Sequence, residues 1–248
     1  MGVASAKTPS LMKTGVALVV YGSAYLQYHA VERLQRAFQG AECYIINNRY
    51  QGEPGEIEGH NRQFEFGAYL QALEHFKGYD RLLLLNDTAF SSHSFFLWRG
   101  LWQKAWYEKT NAECCVWGDL RFDGSSIVER PNPFAASWCM MALNQASVRA
   151  LANTLEEVLS RESEPLSPAY EAFLQDWLTG RASGGWHGNL SAENLVRKRQ
   201  CIVWEHAWSR VLQEAGVELY SFRSFGFVRH LLARFFDRLQ NRYRALRR

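Results

Sequence analysis

The chain has 248 residues, enough for one large α/β domain or two small ones. Hydrophobic residues make up 47% and charged residues 21%, which excludes a disordered or collagen-like chain. The net charge of +3 is unevenly placed: from Arg223 onward there are eight arginines and one acid, Asp237, leaving 20 basic and 24 acidic residues upstream. That acidic body carries no nucleic-acid-reading motif, so nucleic acid is not expected as a partner.

In chain order, "GVALVVYGS" (15–23) predicts a first buried strand and "AYLQYHAVERLQRAFQ" (24–39) a helix with apolar groups at helical spacing. "AECYIINN" (41–48) predicts a second strand, followed by a Gly- and Glu-rich loop. "FEFGAYLQALEHFK" (64–77) predicts a helix and "YDRLLLLND" a third strand. This order implies parallel pairing with right-handed crossovers. Ligands in such sheets sit beyond the carboxyl ends of the strands, which places Tyr21-Gly22-Ser23, Asn47-Asn48 and Asn86-Asp87-Thr88 along one edge. Further on come a helix (95–109), a strand (112–122), irregular chain, a strand (135–143) and a helix capped by Asn144. A loop-rich stretch (161–190) holds a short helix at 169–178. A long helix then runs to Ala215, followed by a short strand. No internal repeat or clear linker precedes about residue 222, so residues 1–222 read as one domain and 223–248 as a separate helix.

Five cysteines, Cys43, Cys114, Cys115, Cys139 and Cys201, form no CxxC pair and no zinc-like spacing, which argues for reduced thiols in the cytoplasm. The first residues lack the apolar core of a signal peptide, and the longest apolar runs fall far short of the ~20 residues of a membrane span. A P-loop and a G-x-S-x-G elbow are both missing, which weighs against nucleotide hydrolases and serine hydrolases on a similar sheet.

Asn86-Asp87-Thr88 ends a four-leucine run. It reads either as a plain turn or as a carboxylate held at the rim of the sheet, where Asp87 could hold Mg²⁺ or Mn²⁺ between diphosphate oxygens. Tyr21, Asn47 and Asn48 could frame a nucleobase and ribose, or be ordinary polar strand ends. Glu65 could contact a donor sugar, or favour the dipole of its helix. In "ASGGWHGNLS" (182–191), Trp186 and His187 could belong to a lid over donor or acceptor, or to an ordinary loop. His29, His60, His75 and His93 show no ligand spacing.

"NRQFEFGAYLQAL" (61–73) followed by "YDRLLLLNDTAF" (79–90) resembles the nucleotide-sugar half of GT-A glycosyltransferases, more narrowly the rhamnan-synthesis-F-like bacterial polysaccharide transferases. Glu65 stands where that pattern has Asp, Tyr69 where it has Trp and Thr88 where it has Ser. "VWGDLRF" followed by "AASWCMMAL" resembles a further family segment, with Ser137-Trp138 at its Ser-Tyr positions and Ala135-Ala136 replacing His-Gln. "CIVWEHAWSRVLQEAGVELY" (201–220) resembles the family helix that supplies an acidic pair.

The resemblance covers roughly residues 15–220 and implies a GT-A-like mixed, mainly parallel sheet flanked by helices. It implies transfer of a sugar from a nucleotide-diphosphate donor to a hydroxyl of a bacterial surface polysaccharide, with a lipid-linked acceptor and inversion. Retention stays open, as does a non-catalytic subunit of a polysaccharide assembly complex. The donor site implied is Tyr21, Asn47, Asn48, Glu65, Gly67, Asn86 and Asp87, with Asp87 on a divalent cation (Mn or Mg). Ser137, Trp138, Trp186 and His187 fall to the acceptor or lid, and Glu205 or His206 is the base.

The C-terminal segment spaces Phe225, Val228, Leu231, Leu232, Phe235, Phe236, Leu239, Tyr243 and Leu246 three and four apart, with Arg between. That predicts a basic amphipathic helix. It would lie on an anionic membrane, on the inner face of the cell membrane, or pack its apolar side on the protein or on a second subunit.

Overall fold

The structure is a computed structural model that describes residues 12–21, 24–48, 57–59, 63–108, 113–161, 165–180 and 191–245. In order it has β1 (Thr14–Val20), α1 (Ala24–Ala37), β2 (Glu42–Asn47), β3 (Ile57–Glu58), α2 (Phe64–His75), β4 (Arg81–Asn86) and α3 (Thr88–Ser91). There follow α4 (Phe95–Glu108), β5 (Cys115–Arg121), β6 (Phe134–Ala142), α5 (Gln145–Ser160), α6 (Pro168–Leu178), α7 (Ala192–Glu214) and β7 (Glu218–Ser221). A 3-10 turn (Phe222–Phe225) then leads into α8 (Phe227–Ala245).

The strands form one seven-stranded sheet in the order β3-β2-β1-β4-β6-β5-β7. Every pairing is parallel except the two made by β6, which runs against β4 and β5. A mixed, mainly parallel α/β sheet is what the sequence predicts. The four leucines of β4 explain why its centre is apolar on both sides. Leu82 and Leu84 enter the core under α2, α5 and α7, while Leu83 and Leu85 enter the one under α1 and α4. Two-residue periodicity thus splits a continuous apolar run between two buried faces.

Helix starts follow local capping chemistry. The side chains of Asn144, Ser167 and Ser191 accept hydrogen bonds from the amides of Ser147, Tyr170 and Asn194, satisfying donors that the first helical turn leaves open.

Three features depart from the predicted layout. The two-residue β3 lies inside the predicted loop; it is too short for periodicity and forms only because β2 offers an edge at Ile46 and Asn47. The four-residue α3 follows Asp87 at once, where the sequence reads only a turn or a rim. Finally, the β5–β6 ladder breaks: Gly118 pairs with Met140 and Leu120 with Ala135, so residues 136–139 stand opposite Asp119 alone. Such a bulge re-aims side chains. Here alternation breaks at Trp138 and Cys139, which share one face, while Ser137 faces α7.

The C-terminal helix packs on α4 with its apolar side outward, against the alternative of apolar packing on the protein. Its Ala233 and Asp237 are buried and Arg234 reaches inward to Asp119, whereas Phe227, Val228, Leu231, Leu232, Phe235, Phe236 and Leu239 are exposed. Among the described residues, no helix is long and apolar enough to cross a membrane.

Candidate functional site

Because β6 alone is reversed, the carboxyl ends of the other strands share one edge, and the start of β6 joins them. β1 and β4 are neighbours there. The Asp87 amide donates to the Val19 carbonyl at 2.9 Å, prolonging their ladder by one residue. The Tyr21 amide in turn donates to Asp87 Oδ2 at 3.1 Å. The Asp87 carbonyl accepts from the amides of Phe90 and Ser91, which anchors α3. The turn is the work of its neighbour: Asn86 Oδ1 accepts from the Thr88 amide at 3.1 Å and also from the Thr88 hydroxyl. Asn86 closes the turn, and the Asp87 carboxylate lies at the end of β4 beside Tyr21.

The second strand end adds Asn48, which is buried. Its Nδ2 donates to the Tyr21 hydroxyl and to the Phe64 carbonyl, each at 3.0 Å. Phe64 has φ +54°, a left-handed conformation that bulky residues rarely adopt. Strain of this kind persists only where surroundings over-determine it, and Asn48 grips the carbonyl that follows from it. Gly59 lies against the same amide; a Cβ there would meet Asn48 Oδ1 at 1.9 Å. Asn48 Oδ1 itself is buried with no hydrogen-bond partner among the described residues.

From α2 and α7 come the remaining groups. Glu65 Oε2 accepts from the Cys201 thiol at 3.5 Å. The Tyr69 hydroxyl donates to the Ser137 carbonyl at 2.8 Å, and the amide and hydroxyl of Ser137 both donate to Glu205 Oε1, at 2.6 and 2.8 Å. Glu205 Oε2 has no hydrogen bond among the described residues. A chain of bonds therefore runs from α2 through β6 to α7, ending on Oε1 of Glu205.

Electrostatics binds these groups into one neighbourhood. Burial, then the charge of Glu65, pushes the Tyr21 phenol up; weaker contributions come from Cys201 and Asp87. Tyr69 is raised by the same burial and by Glu65, Tyr21 and Asp87. Burial raises the Cys201 thiol, again with Glu65 next. Burial also raises the Glu205 carboxyl, against the opposing pull of Lys198 and the Ser137 hydrogen bonds. Tyr21, Asn48, Glu65, Tyr69, Asp87, Cys201, Ser137 and Glu205 thus form one cluster of acids and neutral donors. Lys198 reaches it electrostatically, and Arg197 stacks 4.8 Å from the Phe64 ring centroid.

The other sequence-predicted residues are placed elsewhere or play quieter parts. His206 is 2% exposed, packs among Phe134, Tyr170 and Phe173, and has Nδ1 2.7 Å from the Tyr170 hydroxyl. Burial, with the charge of Arg130, pushes it down to about 3. One helical step from Glu205 has turned it away from the edge. Trp138 is 6% exposed on the opposite face, stacked on His93 at 3.7 Å and donating to Asp119 Oδ2 at 3.1 Å, so it offers no ring to an acceptor. Asn47 is buried, and its carbonyl accepts from the Gly59 amide. Gly67 leaves room for Gln63, whose Cβ lies 3.2 Å from where a Gly67 Cβ would be. Trp186 and His187 lie outside the described residues, as do Gly22, Ser23 and His60. His75 hydrogen-bonds Glu42 and stacks on Tyr44, and His93 pairs with Asp237.

Sequence reading passed over Cys201, Lys198 and Arg197. The i, i+3 and i+7 spacing of Lys198, Cys201 and Glu205 on one helix face was the available signal. Among the described residues no three His, Cys, Asp or Glu side chains converge as a metal cage. A divalent ion shared with substrate phosphates needs only one or two protein carboxylates, and Asp87 fits that limited part. No family model matches the chain, and no curated protein matches it.

Proposed function

We propose that this protein is a glycosyltransferase of the GT-A type, moving a sugar from a nucleotide diphosphate to a hydroxyl of a bacterial surface glycan, with inversion. The observation that carries the reading is the pairing at one strand edge of a rim carboxylate, Asp87, with an oriented and raised carboxylate, Glu205. The mixed, mainly parallel sheet supports it, as does the resemblance of residues 61–73 and 79–90 to that family.

The donor lies across Tyr21, Asn48 and Asp87. A divalent cation on Asp87 would supply charge neutralisation to the departing diphosphate. Glu65 meets the sugar hydroxyls. Glu205 takes the proton from the acceptor hydroxyl as its oxygen bonds to the anomeric carbon and the bond to the diphosphate breaks. Ser137 fixes Oε1 and leaves Oε2 to take the proton, and a raised carboxyl is the better base. His206, neutral and bonded to Tyr170, is left out of the reaction. The chain works at the inner face of the cell membrane, where a lipid-linked acceptor is presented.

Calorimetric titration with UDP and dTDP, with and without Mn²⁺, tests the donor site. Binding that Asp87→Ala abolishes supports it; no binding of either nucleotide, or binding indifferent to Asp87, overturns it. Slow release of free sugar from a nucleotide sugar separates the enzyme from a non-catalytic assembly subunit, which would bind without turnover.

A further inference from the structure

Helix α8 has its polarity inverted relative to the protein beneath it. Of its residues, Asp237 is 5% exposed, and its oxygens accept from the Ser94 amide at 2.7 Å and Trp98 Nε1 at 3.0 Å, with His93 Nδ1 at 2.8 Å. Arg234 Nη1 donates to both oxygens of the buried Asp119, at 2.9 and 3.2 Å. Gln240 donates to the Ser91 carbonyl at 3.2 Å. Polar groups that would suit water are spent on holding the helix down.

The opposite side is apolar and open. Phe227, Val228, Leu231, Leu232, Phe235, Phe236, Leu239 and Tyr243 are each 44–68% exposed, and they supply eight of the fourteen exposed large hydrophobic side chains among the described residues. At about 100° per residue they fall within one half of the helix circumference. Arg229 borders that half on one side, while the exposed Arg238 and Arg242 fall inside it, toward its other side. A patch of this size on a fixed helix marks an interaction surface.

We propose that α8 is a rigidly clamped docking helix that lays this apolar half into an anionic lipid bilayer. Charge selects this occupant over a second copy of the chain. A two-fold contact through the same stripe sets Arg229, Arg238 and Arg242 of one copy against those of the other, with no exposed acid on α8 to offset them. An anionic surface takes all three favourably while the aromatic and leucine side chains enter the acyl boundary. The clamp also fixes where the rest of the molecule sits: of the residues α8 grips, Ser91 ends the α3 turn that Asp87 begins, and His93 and Ser94 follow it. Docking therefore fixes the Asp87 rim relative to the lipid surface, with Glu205 on the face of the sheet away from α8. That last consequence rests on the proposed transferase reading; the docking itself does not.

The test is co-sedimentation of the full chain with phosphatidylcholine vesicles, with and without phosphatidylglycerol. Binding to the anionic vesicles, weak on neutral ones, is expected. Arg238→Ala and Arg242→Ala should each weaken it about five-fold, and Leu231→Glu with Phe235→Glu about ten-fold or more. All four positions are exposed, so an unchanged thermal melt certifies the fold of each variant. Failure of the wild-type chain to bind, or equal binding whatever the lipid charge, overturns the proposal. So does a concentration-dependent dimer in ultracentrifugation that Leu231→Glu dissociates, which would give the stripe to a second copy. If vesicle binding holds and nucleotide binding fails, the transferase reading falls and the docking helix stands; the reverse result removes only the helix.

Discussion

Asp119 and Glu205 are carboxylates on opposite faces of the same sheet, beside the same bulge of β6. Asp119 is fully buried and surrounded by cations and a donor: Arg121 at 2.8 Å, Arg234 at 2.9 Å and Trp138 Nε1 at 3.1 Å. Burial alone would raise it, but Arg121 and Arg234 outweigh burial and hold it below the ordinary carboxylate range. Glu205 has neutral donors on one oxygen and, among the described residues, none on the other, and burial wins, raising it. A carboxylate saturated by cations is locked as a charge and serves as a structural anchor. One that is oriented by neutral donors, and left with an open oxygen, is fitted to accept a proton.

The largest expected effect falls on Glu205. Glu205→Gln preserves shape and the bond from Ser137 but removes the proposed base, so under the transferase reading kcat should fall about 10²–10⁴-fold with donor affinity little changed. The melting temperature should hold or rise, since the charged form is the disfavoured one in the fold. Loss of stability together with activity would make Glu205 an anchor like Asp119 and erase the contrast. Asp119→Asn is the converse experiment: urea titration should report about 3–5 kcal/mol of lost stability, because Arg234 and Arg121 are left without their counter-charge.

The pH dependence of stability separates the groups further. His206 lies near 3 in the fold against 6.5 when unfolded, so the unfolded chain takes up its proton first, and stability should fall as pH drops from about 6.5 toward 3. His206→Gln should flatten that slope in thermal melts. The lowered Asp119 contributes stability that is present above its unfolded value and lost as pH falls through its folded one. The raised Glu205 acts with the opposite sign, so Glu205→Gln should gain stability at pH 7 relative to pH 4. The smallest effect is expected at Asn86. Asn86→Ala removes the bonds to Thr88 and should cost about 0.5–1.5 kcal/mol in denaturant titration, with nucleotide binding retained if Asp87 alone serves the rim.

Much of this frame was legible in the residues. Four consecutive leucines, helical spacing and capping residues are local signals, and strand order followed them closely enough to bring Tyr21, Asn48 and Asp87 to one edge. The site was legible only in part. Ser137 and Trp138 are adjacent in sequence and look alike as acceptor candidates, yet strand alternation puts them on opposite faces of the sheet, and only the packed helices show which face holds the cluster. Glu205 and His206 are likewise neighbours, and one helical step sends the second into an aromatic core. Tyr69 entered the motif as a replacement for Trp, with nothing to announce its bond to Ser137.

Sequence by itself determined the alternation of strands and helices, the acidic body with its basic end, and the polar residues that close each strand, because all of these depend on groups a few residues apart. Tertiary structure alone decided which face of α8 turns outward. Composition shows an apolar stripe and a polar stripe, and ordinary burial would put the apolar one inside. The buried Asp119, His93 and Trp98 offer partners that Arg234 and Asp237 can satisfy only by turning in, and those partners lie more than a hundred residues upstream.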